Sequence, residues 1–269
     1  MKTDGDSFDL FFPIGAKLIS YLHEQKTIHQ FNTTPSKPSP FLNAFGTTLF
    51  PYMDEEQPEQ RTYFDDYMAI RRSGLQEWHQ TIPFATHLMP DARSGSEEVL
   101  LVDVGGNYGH ELSSFHTAHP DHPGRLILQD LPSMIEKVED EGVLDNGDVV
   151  QPMPYDFFTP QPVKGARAYY FRNICHDWDD EHCVRFLTNT ARSMEKGYSR
   201  VLIDDYVIPD KGAPIRGAAM DFLMMCFCSG MERTRGQWDR LLERCGLEIV
   251  KVWGGRGDYE SVIEARLME

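Results

Sequence analysis

A histidine followed by four acids stands just after an apolar run in the second half of the chain. The run at 166–171 reads as a buried strand, and His176 comes five residues after its end. In an open α/β sheet, ligands bind beyond the carboxyl ends of the strands. Histidine has an unperturbed pKa of about 6.5, so it can accept a proton near neutral pH. His176 is therefore a candidate general base. The alternative is a solvated histidine beside helix-capping acids.

A second stretch, further upstream, leads from a predicted strand into a glycine-rich turn. Apolar residues precede Asp103, and the turn contains Gly105, Gly106 and Gly109. Glycines let the backbone approach a nucleotide closely. The spacing differs from the dinucleotide pattern G-x-G-x-x-G because Val104 occupies the first glycine position, which argues against a dehydrogenase. The acid in the turn would repel a pyrophosphate, but it suits a cation such as an amino group.

The next predicted strand, 125–129, ends at a further acid, Asp130. An acid about 20 residues after a glycine turn can accept both hydroxyls of a ribose. Either Asp103 or Asp130 alone could be an ordinary turn residue. Acids at two successive strand ends favour a binding site for a ligand that carries both a cationic group and a ribose.

These residues need a parallel sheet to bring them together, and the pattern after residue 98 predicts one. Strands and helices alternate, which is typical of a sheet covered by helices on both faces. The predicted strands are 99–104, 125–129, 166–171 and 200–206, and the predicted helices lie near 110–118, 132–140, 180–195 and 214–229. After a helix at 234–245, the stretches 248–253 and 259–267 read as an antiparallel strand pair that closes the sheet.

The N-terminal part of the chain has a different pattern. Residues 8–30 predict one or two helices, and the proline-rich stretch 32–40 predicts a linker or an exposed loop. From residue 41 to 89 the pattern is helical and rich in aromatic residues. One face of that region carries Phe64, Tyr67, Met68, Arg71 and Leu75. This face either packs in an ordinary core or forms part of the roof of a pocket.

Composition limits the partners. The 269 residues include 26 Lys and Arg against 42 Asp and Glu, a net charge of −16. This balance argues against nucleic acid and anionic membranes, which attract clustered basic residues. We expect no membrane span and no secretory signal. The five cysteines lack disulfide or metal spacing and fit a reducing compartment. The sequence predicts no metal site.

Six motifs in order resemble the S-adenosylmethionine-dependent O-methyltransferases of the plant caffeate and fungal secondary-metabolite type. The resemblance covers roughly residues 41–269. Each motif is weak alone, and their order and spacing make the set specific. They are Phe45-Gly46-Thr47 with 64–68, Val102-Asp103-Val104-Gly105-Gly106, Gln129-Asp130-Leu131-Pro132, Tyr155-Asp156-Phe157-Phe158, His176-Asp177-Trp178, and 230–238 from Gly230 to Trp238.

The resemblance implies a fold and a set of roles. The fold is α/β, a doubly wound, mostly parallel sheet of the class I methyltransferase (Rossmann-like) type, with a C-terminal antiparallel strand pair and an N-terminal helical segment. S-adenosylmethionine is the implied cofactor and S-adenosylhomocysteine the product. The implied cofactor-binding residues are Asp103, Gly105, Gly106, Asp130, Leu131, Asp156, Phe157 and Arg172. His176 is the implied base, oriented by acids at positions matching Asp205 and Glu232. A shorter aspartate stands at 205, where the family usually has Glu.

The acceptor side is less specified. The expected substrate is a phenol or enol of a small aromatic or polyketide-type metabolite, contacted by Asp177, Trp178, Met220, Met224 and Phe227. The apolar stretch 220–228 either packs in the core or walls this substrate, since methionine adapts to irregular shapes.

The expected organisation has three parts. They are an extension at 1–40, a helical segment over the site at 41–95, and the cofactor-binding catalytic domain at 96–269. The family normally carries a dimerisation domain of about a hundred residues before Phe41, and about forty residues precede it here, so the family's usual dimer is not expected. The expected alternatives are a different homodimer, a partner subunit, or an isolated domain of a longer protein. The resemblance also implies a cytoplasmic setting. Two other functions stay open, namely an enzyme that uses the cofactor only as a fixed charge for cyclisation, dehydration or pericyclic chemistry, and a non-catalytic scaffold.

Overall fold

The computed structural model describes residues 3–25, 39–70, 74–144, 149–255 and 257–269, with side chains described from residue 10 onward except at 65–70. Its contacts separate two compact units. The helical unit comprises Met1–Leu75, His176–Asp179 and Ile215–Glu232, and the sheet unit comprises Gln76–Cys175, Asp180–Pro214 and Arg233–Glu269. The boundaries at residues 40 and 95 that the sequence suggests stay predictions.

The described helices lie in both units. They are α1 (Thr3–Glu24), α2 (Pro40–Phe45), α3 (Leu49–Pro51), α4 (Pro58–Ile70), α5 (Trp78–Thr81), α6 (Phe84–His87), α7 (His110–Ala118), α8 (Pro132–Asp140), α9 (Asp180–Ala191), α10 (Ile215–Cys228) and α11 (Arg235–Arg244), with a π-helical turn at Tyr52–Glu56 and a 3-10 turn at Cys175–Asp177. Local sequence explains the starts of two helices. Pro132 occupies the first turn of α8, where a missing N–H costs nothing, and Thr234 with Gln237 forms a capping box for α11. None of the described helices is both long and apolar enough to cross a membrane.

The sheet unit is built around one mostly parallel β-sheet. The described strands are β1 (Val99–Val104), β2 (Arg125–Asp130), β3 (Val150–Pro154), β4 (Ala168–Arg172), β5 (Arg200–Asp205), β6 (Val207–Ile208), β7 (Arg233–Thr234), β8 (Leu247–Gly254) and β9 (Ser261–Leu267). The order in the seven-stranded sheet is β3-β2-β1-β4-β5-β9-β8, and β6 and β7 form a separate pair. Strands β1 to β5 are parallel, and β9 is antiparallel to both β5 and β8. The carboxyl ends of β1, β2, β4 and β5 therefore meet at one edge.

Each unit has its own apolar core. In the sheet unit, Trp78 of α5 stacks on Tyr170 of β4 with ring centroids 4.3 Å apart, and every residue of β1 is buried. In the helical unit, Ile14, Phe41 and Phe227 join α1, α2 and α10. These cores hold each set of site residues on a packed scaffold.

The expected architecture is confirmed: the sheet is mostly parallel and the antiparallel pair closes it. The predicted strands agree with β1, β2, β4 and β5 to within two residues at each end. The edge strand β3 is an addition. The N-terminal helix is a single α1 as far as the described residues go, and residues 26–30, most of the 32–40 linker and Arg71 lie outside them, as do the side chains of Tyr67 and Met68.

Candidate active site

Asp130, the last residue of β2, is held by backbone donors from both sides. Its Oδ2 atom accepts the Asn107 N–H at 2.8 Å, and its Oδ1 atom accepts the Leu131 N–H at 2.8 Å. Asn107 has a φ of 52°, in the left-handed region that asparagine tolerates better than most residues. The carboxylate is therefore held in one orientation before any ligand arrives.

The glycine turn after β1 is fastened to the end of β2. The N–H groups of Gly105 and Gly106 both donate to the Gln129 carbonyl oxygen, at 2.7 and 3.2 Å. These bonds continue the strand pairing past the end of β1. The structure thus brings the turn and Asp130 together at one edge of the sheet, as the strand-end argument predicts.

Asp103 is buried near the end of β1, with only 1% of its surface exposed. Among the described residues, its Oδ2 atom has no hydrogen-bond partner. Burial raises the pKa of Asp103 to about 7; the Arg172 guanidinium acts to lower it, and the Asp130 carboxylate acts to raise it. A buried carboxylate in this position would be stabilised most by a ligand that brings a cation.

Gly106 packs directly on this carboxylate. A Cβ atom at Gly106 would lie 2.5 Å from Leu128 Cδ1 and 2.6 Å from Asp103 Oδ2. Both distances are shorter than real Cβ contacts, so any side chain here would displace its neighbours. We call the arrangement of Asp103, Gly105, Gly106 and Asp130 the strand-edge cradle.

Arg172, the last residue of β4, is half-buried and forms an ion pair with Glu111. The pair joins Arg172 Nη1 to Glu111 Oε1, in the first turn of α7. No motif singles out Glu111, because an acid in the first turn of a helix is common. The ion pair with Glu111 holds the Arg172 guanidinium, which acts to lower the pKa of Asp103.

Three more predicted residues lie on loops after β2 and β3. Asp156 is exposed, and its Oδ1 atom accepts the backbone N–H two residues later at 2.9 Å. Phe157 is half-buried, and Leu131 is 53% exposed. The Tyr155 N–H donates to the Asp130 carbonyl oxygen at 2.7 Å, which ties the loop of Asp156 to the end of β2.

His176 and Glu232 form a buried pair in the helical unit. His176 Nδ1 lies 2.9 Å from Glu232 Oε1, and the two side chains are 6% and 0% exposed. An ionised carboxylate only accepts hydrogen bonds, so this contact assigns the proton to Nδ1 and leaves Nε2 as the basic nitrogen. The arrangement is that of a general base oriented by an acid.

Asp177 lies on the other side of the His176 ring. Its Oδ1 atom is 3.6 Å from His176 Nε2. The Cys228 thiol at the end of α10 is hydrogen-bonded to Asp177. Burial, followed by the charge of Asp177, raises the pKa of Cys228, so the thiol stays protonated and donates. Trp178, the next residue, is half-buried.

The backbone beside Glu232 runs against the backbone of His176. The Met231 N–H donates to the His176 carbonyl oxygen at 3.0 Å, and a Cβ atom at Gly230 would lie 1.9 Å from that oxygen. No side chain fits at Gly230 unless the chain moves. The motif at 230–238 predicted a role for Glu232 in orienting the base. The structure shows in addition that Gly230 must lack a side chain, because the His176 backbone lies so close.

The remaining predicted residues fall in several places. Asp205 ends β5 in the sheet unit and is fully buried. The pKa of the Cys175 thiol is raised mainly by burial, then by the neighbouring Cys183, and then by the charge of Asp205. His176 Nδ1 is hydrogen-bonded to Glu232 in the helical unit. On α10, Met220 is half-buried and Met224 is buried, and the ring of Phe227 lies 4.9 Å from that of Phe11 within the core.

Among the residues that the structure describes, no group of three or more His, Cys, Asp or Glu side chains is placed to hold a metal ion.

Known proteins resemble this chain over most of its length. A family model described as an O-methyltransferase domain matches residues 26–248. Methyltransferase cfoC of Aspergillus candidus is 42% identical over 217 residues, which cover 80% of this chain and 53% of that protein. Demethylsterigmatocystin 6-O-methyltransferase of Aspergillus parasiticus is 35% identical over 246 residues, which cover 91% of this chain and 60% of that protein. The chain therefore spans little more than half the length of the curated relatives it matches.

A solved structure agrees in fold. LepI in complex with SAM superposes with a TM-score of 0.83 and 29% sequence identity, covering 97% of this chain and 65% of that chain.

Proposed function

We propose that this chain, which belongs to the O-methyltransferase domain family, binds S-adenosylmethionine in the strand-edge cradle and transfers its methyl group to a hydroxyl of a small acceptor. The acceptor is a phenol or enol of an aromatic or polyketide-type metabolite. The observation that carries the proposal is the buried hydrogen bond between His176 Nδ1 and Glu232 Oε1, at 2.9 Å. A general base of this kind has a role in methylating a hydroxyl but none in a scaffold.

Two features of the sheet unit fit the cofactor. The buried Oδ2 atom of Asp103, which has no hydrogen-bond partner among the described residues, suits the ammonium group of a methionine tail. Asp130, fixed by the N–H groups of Asn107 and Leu131, suits two ribose hydroxyls. Gly105 and Gly106 let the backbone approach the methionine portion. We assign Leu131, Asp156 and Phe157 to the adenosine, and Arg172 to fixing the cofactor.

The residues of this chain supply what the acceptor needs. When bound, S-adenosylmethionine supplies an electrophilic methyl group on a sulfonium. A phenol has a pKa of about 10 and is mostly protonated at neutral pH, so its oxygen is a weak nucleophile. His176 Nε2 removes that proton as the new bond forms, and Glu232 stabilises the resulting imidazolium through Nδ1. We assign Asp177, Trp178, Met220, Met224 and Phe227 to holding the acceptor, and Asp205 to supporting the base.

The assembly and the setting belong to the same proposal. All five cysteines are free thiols, which fits a cytoplasmic protein. Within the helical unit, Phe12 and Ile19 of α1 and Ile215 and Phe222 of α10 are exposed apolar residues. A homodimer or a partner subunit would cover such residues. Sedimentation velocity at micromolar concentration distinguishes a monomer from a dimer.

The proposal is tested by binding and turnover. Calorimetry measures the affinity of the cradle for S-adenosylmethionine and for S-adenosylhomocysteine. Chromatography measures the S-adenosylhomocysteine that is formed with each member of a panel of phenols. We expect binding of both compounds and product formation that depends on the acceptor. Absence of binding, with a folded protein, would rule out the assigned cofactor.

The state of Asp103 predicts a pH dependence of cofactor binding. An ammonium group binds the ionised carboxylate, and the pKa of about 7 means that Asp103 is largely protonated below that pH in the free protein. Binding therefore strengthens as pH rises through 7. If only the ionised form binds, affinity for S-adenosylmethionine is about eightfold weaker at pH 6.0 than at pH 7.5. Calorimetry at both pH values checks this, and Asp103→Asn should bind weakly at both. Equal wild-type affinities would contradict the assignment.

A second prediction concerns the space in the cradle. Gly106→Ala places a methyl group against Leu128 and Asp103, and overpacking of this kind typically costs 1–3 kcal/mol. We expect affinity for S-adenosylhomocysteine to fall by roughly 10- to 100-fold. Gly15→Ala in α1 is the control, because no described heavy atom lies within 4 Å of its Cβ position. Unchanged affinity in Gly106→Ala would show that the turn does not contact the cofactor.

A further inference from the structure

Three successive backbone N–H groups fasten the segment that carries Glu232. Gly230 donates to the Met224 carbonyl oxygen at 3.2 Å, and Met231 donates to the His176 carbonyl oxygen at 3.0 Å. The third donor, Glu232 itself, binds a side chain instead: its N–H lies 2.8 Å from Oδ1 of Asp221. We call residues 230–232 the clip.

Asp221 lies on α10, eleven residues before Glu232 in the chain. It is half-buried, and burial raises the pKa of its carboxyl; the hydrogen bond from the Glu232 N–H acts to lower it, and the charge of Glu232 acts to raise it. Placing one acid beside another costs free energy, because like charges repel in a partly desolvated position. The hydrogen bond from the Glu232 N–H favours the ionised form of Asp221 and so offsets part of this cost.

The clip has little freedom apart from this contact. Gly230 lies against the His176 backbone, and a rotation of the Glu232 backbone would move Oε1 away from Nδ1. The Asp221 hydrogen bond opposes that rotation by holding the Glu232 N–H. The bond that orients the base thus depends on an acid that does not touch the histidine.

We infer that Asp221 is a positioning residue for the base: through the backbone of Glu232, it fixes the carboxylate that keeps the His176 proton on Nδ1. The inference rests on the proposed function, in which Nε2 of His176 receives the proton of the acceptor. Helix α10, which carries Asp221, thereby helps to keep His176 Nε2 free to accept a proton.

Two substitutions separate the hydrogen bond from the charge. Asp221→Ala removes the acceptor, whereas Asp221→Asn keeps an oxygen that can accept the Glu232 N–H. For Asp221→Ala we expect kcat to fall roughly tenfold, on the best phenolic acceptor found, with an unchanged KM for S-adenosylmethionine. For Asp221→Asn we expect kcat within about twofold of the wild type. Asp239→Ala, which removes an exposed acid of α11, is the control for loss of charge.

Nitrogen-15 NMR of the His176 imidazole reads the position of the proton directly. At pH 8.5, with S-adenosylhomocysteine present and the signals assigned through His176→Gln, the wild type should show the Nδ1–H tautomer. Asp221→Ala should show a mixture with Nε2–H, and Asp221→Asn should restore the wild-type signals. A purely structural role for Asp221 would not move this equilibrium.

Wild-type kcat and wild-type imidazole signals in Asp221→Ala would overturn the inference. So would equal losses in the Ala and Asn variants together with a lowered Tm. If Asp221→Ala does not fold, Asp221→Glu decides, because it keeps the charge but shifts the accepting oxygen by one methylene; wild-type values in that variant would overturn the inference. If the wild type transfers no methyl group, the proposed function fails while the tautomer comparison still decides the role of Asp221.

Discussion

His176→Ala is expected to lower kcat for methyl transfer by ~10²–10⁴-fold, the usual contribution of a general base. The reason is that the acceptor hydroxyl would have to lose its proton to water, while the cradle in the sheet unit keeps its residues. Affinity for S-adenosylhomocysteine should stay within about twofold. Steady-state kinetics on the best acceptor, with calorimetry on the same samples, measures both quantities.

A matched substitution guards against a general effect of removing a histidine. His23→Ala removes an exposed imidazole at the end of α1 and should leave kcat unchanged. Glu232→Gln should lie between the two, because an amide can still contact Nδ1 but cannot stabilise the imidazolium by charge. Full activity in His176→Ala would show that the base is another group.

Gly230→Ala is expected to be the most damaging substitution outside the reacting groups. The added Cβ would lie 1.9 Å from the His176 carbonyl oxygen, a backbone atom that cannot rotate away. Relief requires the clip to move, which separates Glu232 from His176. We expect kcat to fall by about 100-fold or more and the free energy of unfolding to fall by about 1–3 kcal/mol, as for other overpacked sites.

Gly236→Ala provides the comparison within the same motif. Its Cβ position lies 3.5 Å from the end of the Arg240 side chain, an ordinary contact, and it stands in the first turn of α11, where alanine is a better helix former than glycine. This variant should be as stable as the wild type or more so, with full activity. If Gly230→Ala behaves in the same way, the close backbone approach is not essential to the base.

The sheet could be predicted from the sequence because its strands are buried on both faces. Apolar runs such as β1 and β5, bounded by turn residues, predict a parallel sheet. The strand β3 was missed because Val150–Pro154 contains two prolines, which usually exclude a strand and are tolerated at an edge. The pieces β6 and β7 have two residues each, too few for any periodicity.

The helical region after residue 41 shows that helix boundaries are harder to predict from sequence than the presence of helix. Its aromatic pattern predicts helix, and the structure divides it into short helices with a π-helical turn between them. Pro51, Pro58 and Pro83 stand at or next to these breaks, because proline removes a helical hydrogen bond. Side-chain pattern therefore identified the class of structure better than its boundaries.

The placement of the candidate site residues could be predicted where it depends on side-chain types at strand ends, and not where it depends on backbone contacts. Acids at strand ends and a histidine after a strand are visible in the sequence, and the structure brings the acids of the cradle together at one edge. Asp221 acts on the N–H of Glu232, and Gly230 acts by leaving space for a carbonyl oxygen. Contacts of this kind leave no pattern of residue types, so neither could be assigned a role from the sequence.

The most direct test of methyl transfer follows the methyl group itself. The full chain is incubated with methyl-labelled S-adenosylmethionine and a panel of phenolic and polyketide acceptors, and mass spectrometry locates the label in the products. We predict a product that carries the label on an oxygen atom, formed by the wild type and lost in His176→Ala. Bound cofactor with its methyl group still on sulfur, beside a cyclised or isomerised product without label, would contradict the account.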